Sequence, residues 1–149
     1  MTTIYVDGDG CPVKGEVYRV AKRYELLVVL VSNSYINVPD GVSLEVVGAG
    51  FDEADDWIVD RCADGDIVVT GDIPLASRCL ERGAAVLGHK GRIFTERSIG
   101  EALATREFLS QMREAGEMSG GPAPFSQRDR SQFLQALDTL VVRLQRGNV

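Results

Sequence analysis

Apolar residues follow two alternating rhythms along the chain. Thr3–Asp7 is a short apolar segment closed by an acid, and Leu26–Val31 is an unbroken apolar run. Runs of this length, rich in β-branched side chains, predict strands covered on both faces. Ser43–Val47, Ile67–Thr70 and Ala84–Leu87 read as a third, fourth and fifth strand. Between the strands the spacing changes. Val13, Val17, Val20, Ala21 and Tyr24 recur at helical intervals after Pro12, which suits a first helical position. Asp52 opens a second predicted helix reaching about Cys62, and Pro74 starts a short third one ending at Gly83. Asn33–Gly41 reads as loop, with Pro39-Asp40-Gly41 as a turn.

Strands alternating with helices predict an α/β domain with parallel crossovers and a sheet covered on both sides. Arg92–Thr95 reads as a short edge strand and Ile99–Ala115 as a helix. Ser119–Pro124 has the composition of a linker, after which Ser126 caps a last helix, Gln127 to about Arg146. Phe133, Leu134, Leu137, Leu140, Val141 and Leu144 share one face of it, and that face needs a partner. The expected division is an α/β domain over 1–115. Residues 116–149 then form a Gly/Pro linker and a helix packed on the domain or on a second subunit, as in a homodimer.

At 149 residues the chain suits one domain, and its 44% apolar content allows a real core. No apolar stretch approaches the roughly 18–20 residues that span a bilayer. The first residues run straight into a strand without the pattern of a secretory signal, so the expectation is a cytoplasmic protein with no membrane partner. The three cysteines form no C-x-x-C pair and there is one histidine, His89. Any metal would therefore be held by oxygen, which favours magnesium, manganese or calcium. Residues 1–91 carry 8 Lys/Arg against 15 Asp/Glu, whereas residues 92–149 carry 8 Arg against 7 Asp/Glu. The acidic balance argues against non-specific nucleic-acid binding, unless metal covers some carboxylates or the arginine-rich end faces the ligand.

The acids gather where ligands bind in open α/β sheets, outside the carboxyl ends of strands. Asp7 and Asp9 follow the first strand, Asp72 follows the fourth, and Asp52, Asp55 and Asp56 open a helix. Carboxylates brought together must share protons or bind a cation, and a divalent ion can activate water against a phosphodiester. Simpler roles compete. Asp52 and Asp72 suit helix caps, Asp55 and Asp56 suit a helix N-terminus, and Asp9 could cap the helix after Pro12. Asp60, Asp64 and Asp66 read as solvated surface. A Cys11–His89 nucleophilic pair lacks a third orienting group.

Four ordered motifs carry a family resemblance over nearly the whole chain. They are Val6-Asp7-Gly8-Asp9-Gly10-Cys11-Pro12-Val13-Lys14, Gly50-Phe51-Asp52-Glu53-Ala54-Asp55-Asp56 and Val69-Thr70-Gly71-Asp72-Ile73-Pro74-Leu75-Ala76, then Gly120–Phe125 with Arg128-Asp129-Arg130. Together they resemble the YaiI/YqxD family of bacterial proteins, whose usual forms have alanine at positions 8 and 10. That family is itself similar to PIN-like nuclease domains. The resemblance implies a three-layer α/β/α fold with a mostly parallel five-stranded sheet of order 3-2-1-4-5. It implies that Asp7, Asp56 and Asp72 form the catalytic acidic metal cluster, with the Thr70 hydroxyl beside it and Asp52 or Asp55 as a further acid.

Three functions follow as expectations. The first is a magnesium- or manganese-dependent phosphodiesterase acting on RNA or DNA. Asp9, Asn33 and Thr70 then border the substrate, while Lys14, Lys90, Arg128 and Arg130 contact phosphates. The second is a phosphatase of the haloacid-dehalogenase type, with Asp7 as nucleophile, Asp9 as acid, Thr70 on the phosphate and Lys90 steadying it. The acidic pair expected downstream of that lysine is missing. The third is a catalytically silent module binding a nucleotide or a protein.

Overall fold

Two apolar faces of one sheet set the architecture. The computed structural model describes residues 2–50, 52–114 and 124–147. In chain order the elements are β1 (Thr3–Asp7), α1 (Lys14–Tyr24), β2 (Leu27–Ser32), β3 (Val42–Val46), α2 (Glu53–Arg61) and β4 (Ile67–Val69). Then come α3 (Ile73–Glu81), β5 (Ala85–Leu87), β6 (Ile93–Phe94), α4 (Glu96–Glu114) and α5 (Gln127–Gly147). The strand order is β3-β2-β1-β4-β5-β6. The first five strands are parallel in the expected order, and β6 adds a sixth, antiparallel to β5.

The unbroken apolar runs are explained by alternation across the sheet. Ile4, Val6, Val28, Leu30, Ile67, Val69 and Leu87 face a core shared with α1 and α5. Val29, Val31, Val68 and Val86 face the opposite core, filled by Ala54 and Ile58 of α2, Leu75, Ala76 and Cys79 of α3, and Ile99 of α4. Strands β2 and β4 are thus apolar at consecutive positions because both of their faces are covered, whereas the edge strand β3 alternates and is largely exposed.

The last helix packs on its own domain. Phe133, Leu137, Leu140 and Val141 are buried among Val13 just before α1, Val17 and Val20 of α1 and the strands beneath. Each such side chain contributes about 1.5–3 kcal/mol on removal from water. Polar ties fix the seating. Arg130 Nη1 donates to the Pro12 carbonyl at 2.6 Å and to Glu16 Oε1 at 3.0 Å. Arg23 pairs with Asp138, which also accepts from Tyr24 Oη at 2.6 Å. Gly91, at φ 92°, lets the β5–β6 turn approach α5. A Cβ there would stand 2.8 Å from the Gln132 carbonyl oxygen. The apolar face of α5 is therefore spent within the chain, which leaves the homodimer expected through it without that surface. The linker expected at 119–124 and the 115/116 boundary fall, apart from Pro124, outside the described residues.

Local starts differ from expectation in three places. Helix α1 begins at Lys14, and Pro12 lies in the turn before it. Asp52 precedes α2 with φ 63° and makes no side-chain cap bond. Asp66 is not a solvated surface acid. Its carboxylate accepts the N–H of Thr3 at 3.0 Å and of Ala63 at 3.1 Å, pinning the start of β1.

Candidate metal centre

Register brings the first two acids together. Val6 pairs with Val69 across the β1–β4 ladder, so the next residues, Asp7 and Thr70, leave neighbouring strands at the same level. This is where the chain crosses to opposite sides of the sheet, the point at which such folds leave a crevice. The buried Thr70 hydroxyl donates to Asp7 Oδ2 at 2.9 Å and accepts the Asp72 N–H at 3.0 Å. Asp72 caps α3, accepting the Leu75 N–H at 3.1 Å through Oδ1. Capping uses one oxygen and leaves the carboxylate at the crevice, so the cap and ligand readings of Asp72 are compatible.

The α2 end supplies the facing wall. Asp7, Asp9, Asp52, Glu53, Asp55 and Asp72 line one open pocket of about 210 Å³, together with Asn33 and Gly50. Burial raises the Asp7 carboxyl above its ordinary range. The Thr70 hydrogen bond opposes that rise, and repulsion from Asp72 and Asp9 adds to it. Asp55 is pushed up to about 6, first by burial and then by the charges of Asp72, Asp7 and Asp52, with Arg78 opposing. A larger groove, about 820 Å³, opens between α1 and the start of β3, far from this chemistry and lined by Tyr18, Leu26 and Val42.

Several expected site residues stand elsewhere. Asp56 is absent from the pocket lining and pairs outward with Arg78 at 2.8 Å. Its neighbour Asp55 takes the inward place, because adjacent helical residues point about 100° apart. Asp9 does not cap α1. It accepts the Ser32 hydroxyl and the Asn33 N–H, each at 2.9 Å. Arg130 is a strut to Pro12 and Glu16, not a free phosphate contact. Lys90 sits half-exposed, 3.9 Å from Asp129, which forms a reciprocal cap with Ser126 at the start of α5. Arg128 is exposed on the same turn, and Lys14 is partly exposed at the start of α1. Cys11 is buried, and burial pushes its thiol up, away from nucleophilic thiolate. The His89 ring lies against Gly71, where a Cβ would meet Cε1 at 3.0 Å, and burial lowers its pKa. Sequence reasoning passed over Glu53, whose signal was its place in the first turn of α2 beside Asp52 and Asp55.

The donor set suits a hard divalent cation in charge and atom type. Among the described residues no group of three or more His, Cys, Asp or Glu side chains is arranged to hold an ion directly. Magnesium tolerates this spacing, because it keeps several waters and uses one or two carboxylates. Asp7 and Asp72 are the side chains that could hold such an ion, with Asp55 and Glu53 lining the same pocket.

A mostly parallel α/β protein with an acidic crevice at its strand-order reversal is the class these features define. The profile described as "Uncharacterized BCR, YaiI/YqxD family" matches residues 5–143, and the chain belongs to that family. A UPF0178 protein of Rhodopseudomonas palustris (strain BisB18) is 55% identical over 149 residues, covering 99% of this chain and 96% of the relative. One from Brucella ovis is 54% identical over 147 residues, covering 97% and 91%. One from Bradyrhizobium diazoefficiens is 52% identical over 150 residues, covering 99% and 90%. No solved structure matches the chain. Among the described residues no helix is long and apolar enough to cross a membrane.

Proposed function

We propose that this protein is a magnesium- or manganese-dependent phosphodiesterase that cleaves RNA or DNA in the acidic crevice. The observation that carries the reading is the gathering of carboxylates in one pocket, where burial and then the charges of Asp72, Asp7 and Asp52 push Asp55 up to about 6. A pocket that holds acids at that cost is suited to a cation that relieves it. Asp7 and Asp72 hold the metal, and Asp55 takes the part first expected of Asp56. The bound ion would polarise a phosphoryl oxygen and activate water. The order β3-β2-β1-β4-β5 agrees with the PIN-like resemblance. Lys14, Lys90 and Arg128 remain as phosphate contacts.

The phosphatase reading needs Asp9 as a free acid, and both Asp9 oxygens already accept hydrogen bonds. The test is cleavage of end-labelled single-stranded RNA and DNA with Mg²⁺, Mn²⁺ or chelator. The expected result is metal-dependent cleavage that Asp7→Asn abolishes. Metal-dependent binding without cleavage would favour the silent module, and cleavage indifferent to Asp7→Asn would remove the site.

A further inference from the structure

Asp9 and Asn33 were expected to touch substrate, yet both Asp9 oxygens and Asn33 Nδ2 are committed inside the chain. Asp9 Oδ1 accepts from Ser32 Oγ at 2.9 Å, and Oδ2 accepts the Asn33 N–H at 2.9 Å. Asn33 Nδ2 then donates to the Gly48 carbonyl at 2.9 Å. Ser32 Oγ also accepts the Ser34 N–H at 3.1 Å. These bonds run from the loop after β1, through the end of β2, to the loop between β3 and α2. That third loop leads into α2, which carries Glu53 and Asp55.

Glu53 depends on the same loop. A Cβ on Gly48 would stand 2.1 Å from Glu53 Oε2, and one on Gly50 would stand 2.8 Å from Oε1. The carboxylate lies against the backbone of both glycines, where an added Cβ would displace it, and no side-chain hydrogen bond fixes it there among the described residues. Its position follows the loop, which is held by the Asn33 side chain at Gly48 and by the Val47 N–H bond to the Ser32 carbonyl at 2.9 Å.

We infer that Asp9 and Asn33 are positioning residues: through the Gly48 carbonyl they hold the β3–α2 loop so that Glu53 and Asp55 face Asp7 and Asp72 across the pocket. This rests on the proposed metal-dependent reading. Asp9 does so without ligating, since its oxygens serve Ser32 and Asn33. Asn33 is the cleaner probe, because it is exposed and uncharged, and its loss changes no charge in the pocket.

The experiment measures Mn²⁺ affinity of the full chain by electron paramagnetic resonance, beside the melting temperature without metal. Asn33→Ala should weaken Mn²⁺ about tenfold, the scale seen when the partners that orient metal ligands are removed. Its melting temperature should stay close to that of wild type. Gly48→Ala keeps the carbonyl but drives a methyl into Glu53, and should weaken Mn²⁺ similarly. In a Glu53→Ala background Gly48→Ala should have no further effect. Asn37→Ala, on the same surface loop but outside these bonds, should bind as wild type does. Wild-type affinity in both Asn33→Ala and Gly48→Ala would overturn the positioning role while leaving the metal site standing. Affinity lost only in step with melting temperature would make Asn33 a plain stabiliser. Absence of Mn²⁺ binding in wild type would overturn the metal reading and this role with it.

Discussion

The hydroxyl of Thr70 donates to Asp7 at 2.9 Å, and the same oxygen receives the N–H of Asp72 at 3.0 Å. One buried side chain thus sets two acids from two strands against each other. Thr70→Val keeps the shape and removes both bonds. The expected cost is about 1–3 kcal/mol, because a buried carboxylate oxygen and an amide lose their partner. The Asp7 pKa should rise further, since the Thr70 bond is what opposes burial. Urea denaturation and carboxyl NMR titration read the two effects. Unchanged stability with an unchanged Asp7 titration would mean the hydroxyl is dispensable.

The pH dependence follows from Asp55. Its folded value of about 6 lies above the roughly 3.9 of an unfolded aspartate. Between those values the folded state binds more protons than the unfolded state, so this residue makes stability fall as pH rises. Its destabilisation is absent below the unfolded value and complete above the folded one. The raised Asp7 acts in the same direction. Without metal, Asp55→Asn should gain melting temperature relative to wild type as pH rises from about 4 to about 7, then level off. A difference that stays constant over that range would contradict the crowded pocket.

Metal should reverse that penalty. Mg²⁺ or Mn²⁺ should raise the wild-type melting temperature, and a free ion at 100 times its dissociation constant adds about 2.7 kcal/mol. Asp7→Asn should lose the response and melt higher than wild type without metal. Equal shifts in both proteins would place the ion elsewhere.

The two arginines at the start of α5 now separate. Arg130→Gln should destabilise by roughly 1–2 kcal/mol through loss of its charged bonds to Pro12 and Glu16. Arg128→Gln should leave stability alone, weaken single-stranded RNA binding and lower the salt slope by about one. Equal behaviour of the two variants in both assays would contradict this division.

How much was legible depended on which physical rule placed each residue. Asp7 and Asp72 could be read from sequence because strand ends and parallel crossovers fix them with little freedom. The two buried faces were legible for the same reason, since runs such as Leu26–Val31 leave no polar side. Asp55 and Asp56 could not be told apart. Their phase is set by Asp52 at φ 63°, a left-handed turn that no periodicity announces. Asp9, Asp66 and Arg130 were misread because each bonds to groups distant in the chain: Asp9 to Ser32 and Asn33, Asp66 to Thr3, Arg130 to Pro12. Sequence gives a side chain's chemistry, but such partners emerge only when the elements are assembled.

The seating of α5 on α1 has a consequence for the order of synthesis. Every acid of the pocket precedes Ile73, so the crevice is translated early. Phe133, Leu137, Leu140 and Val141 leave the ribosome well after those acids, and until they arrive the apolar surface they cover on α1 and the sheet is bare. A nascent chain in that state is a natural client for chaperones. A reading frame stopped before Gln127 should therefore yield an aggregating product rather than a weakened protein, although it encodes every carboxylate of the site.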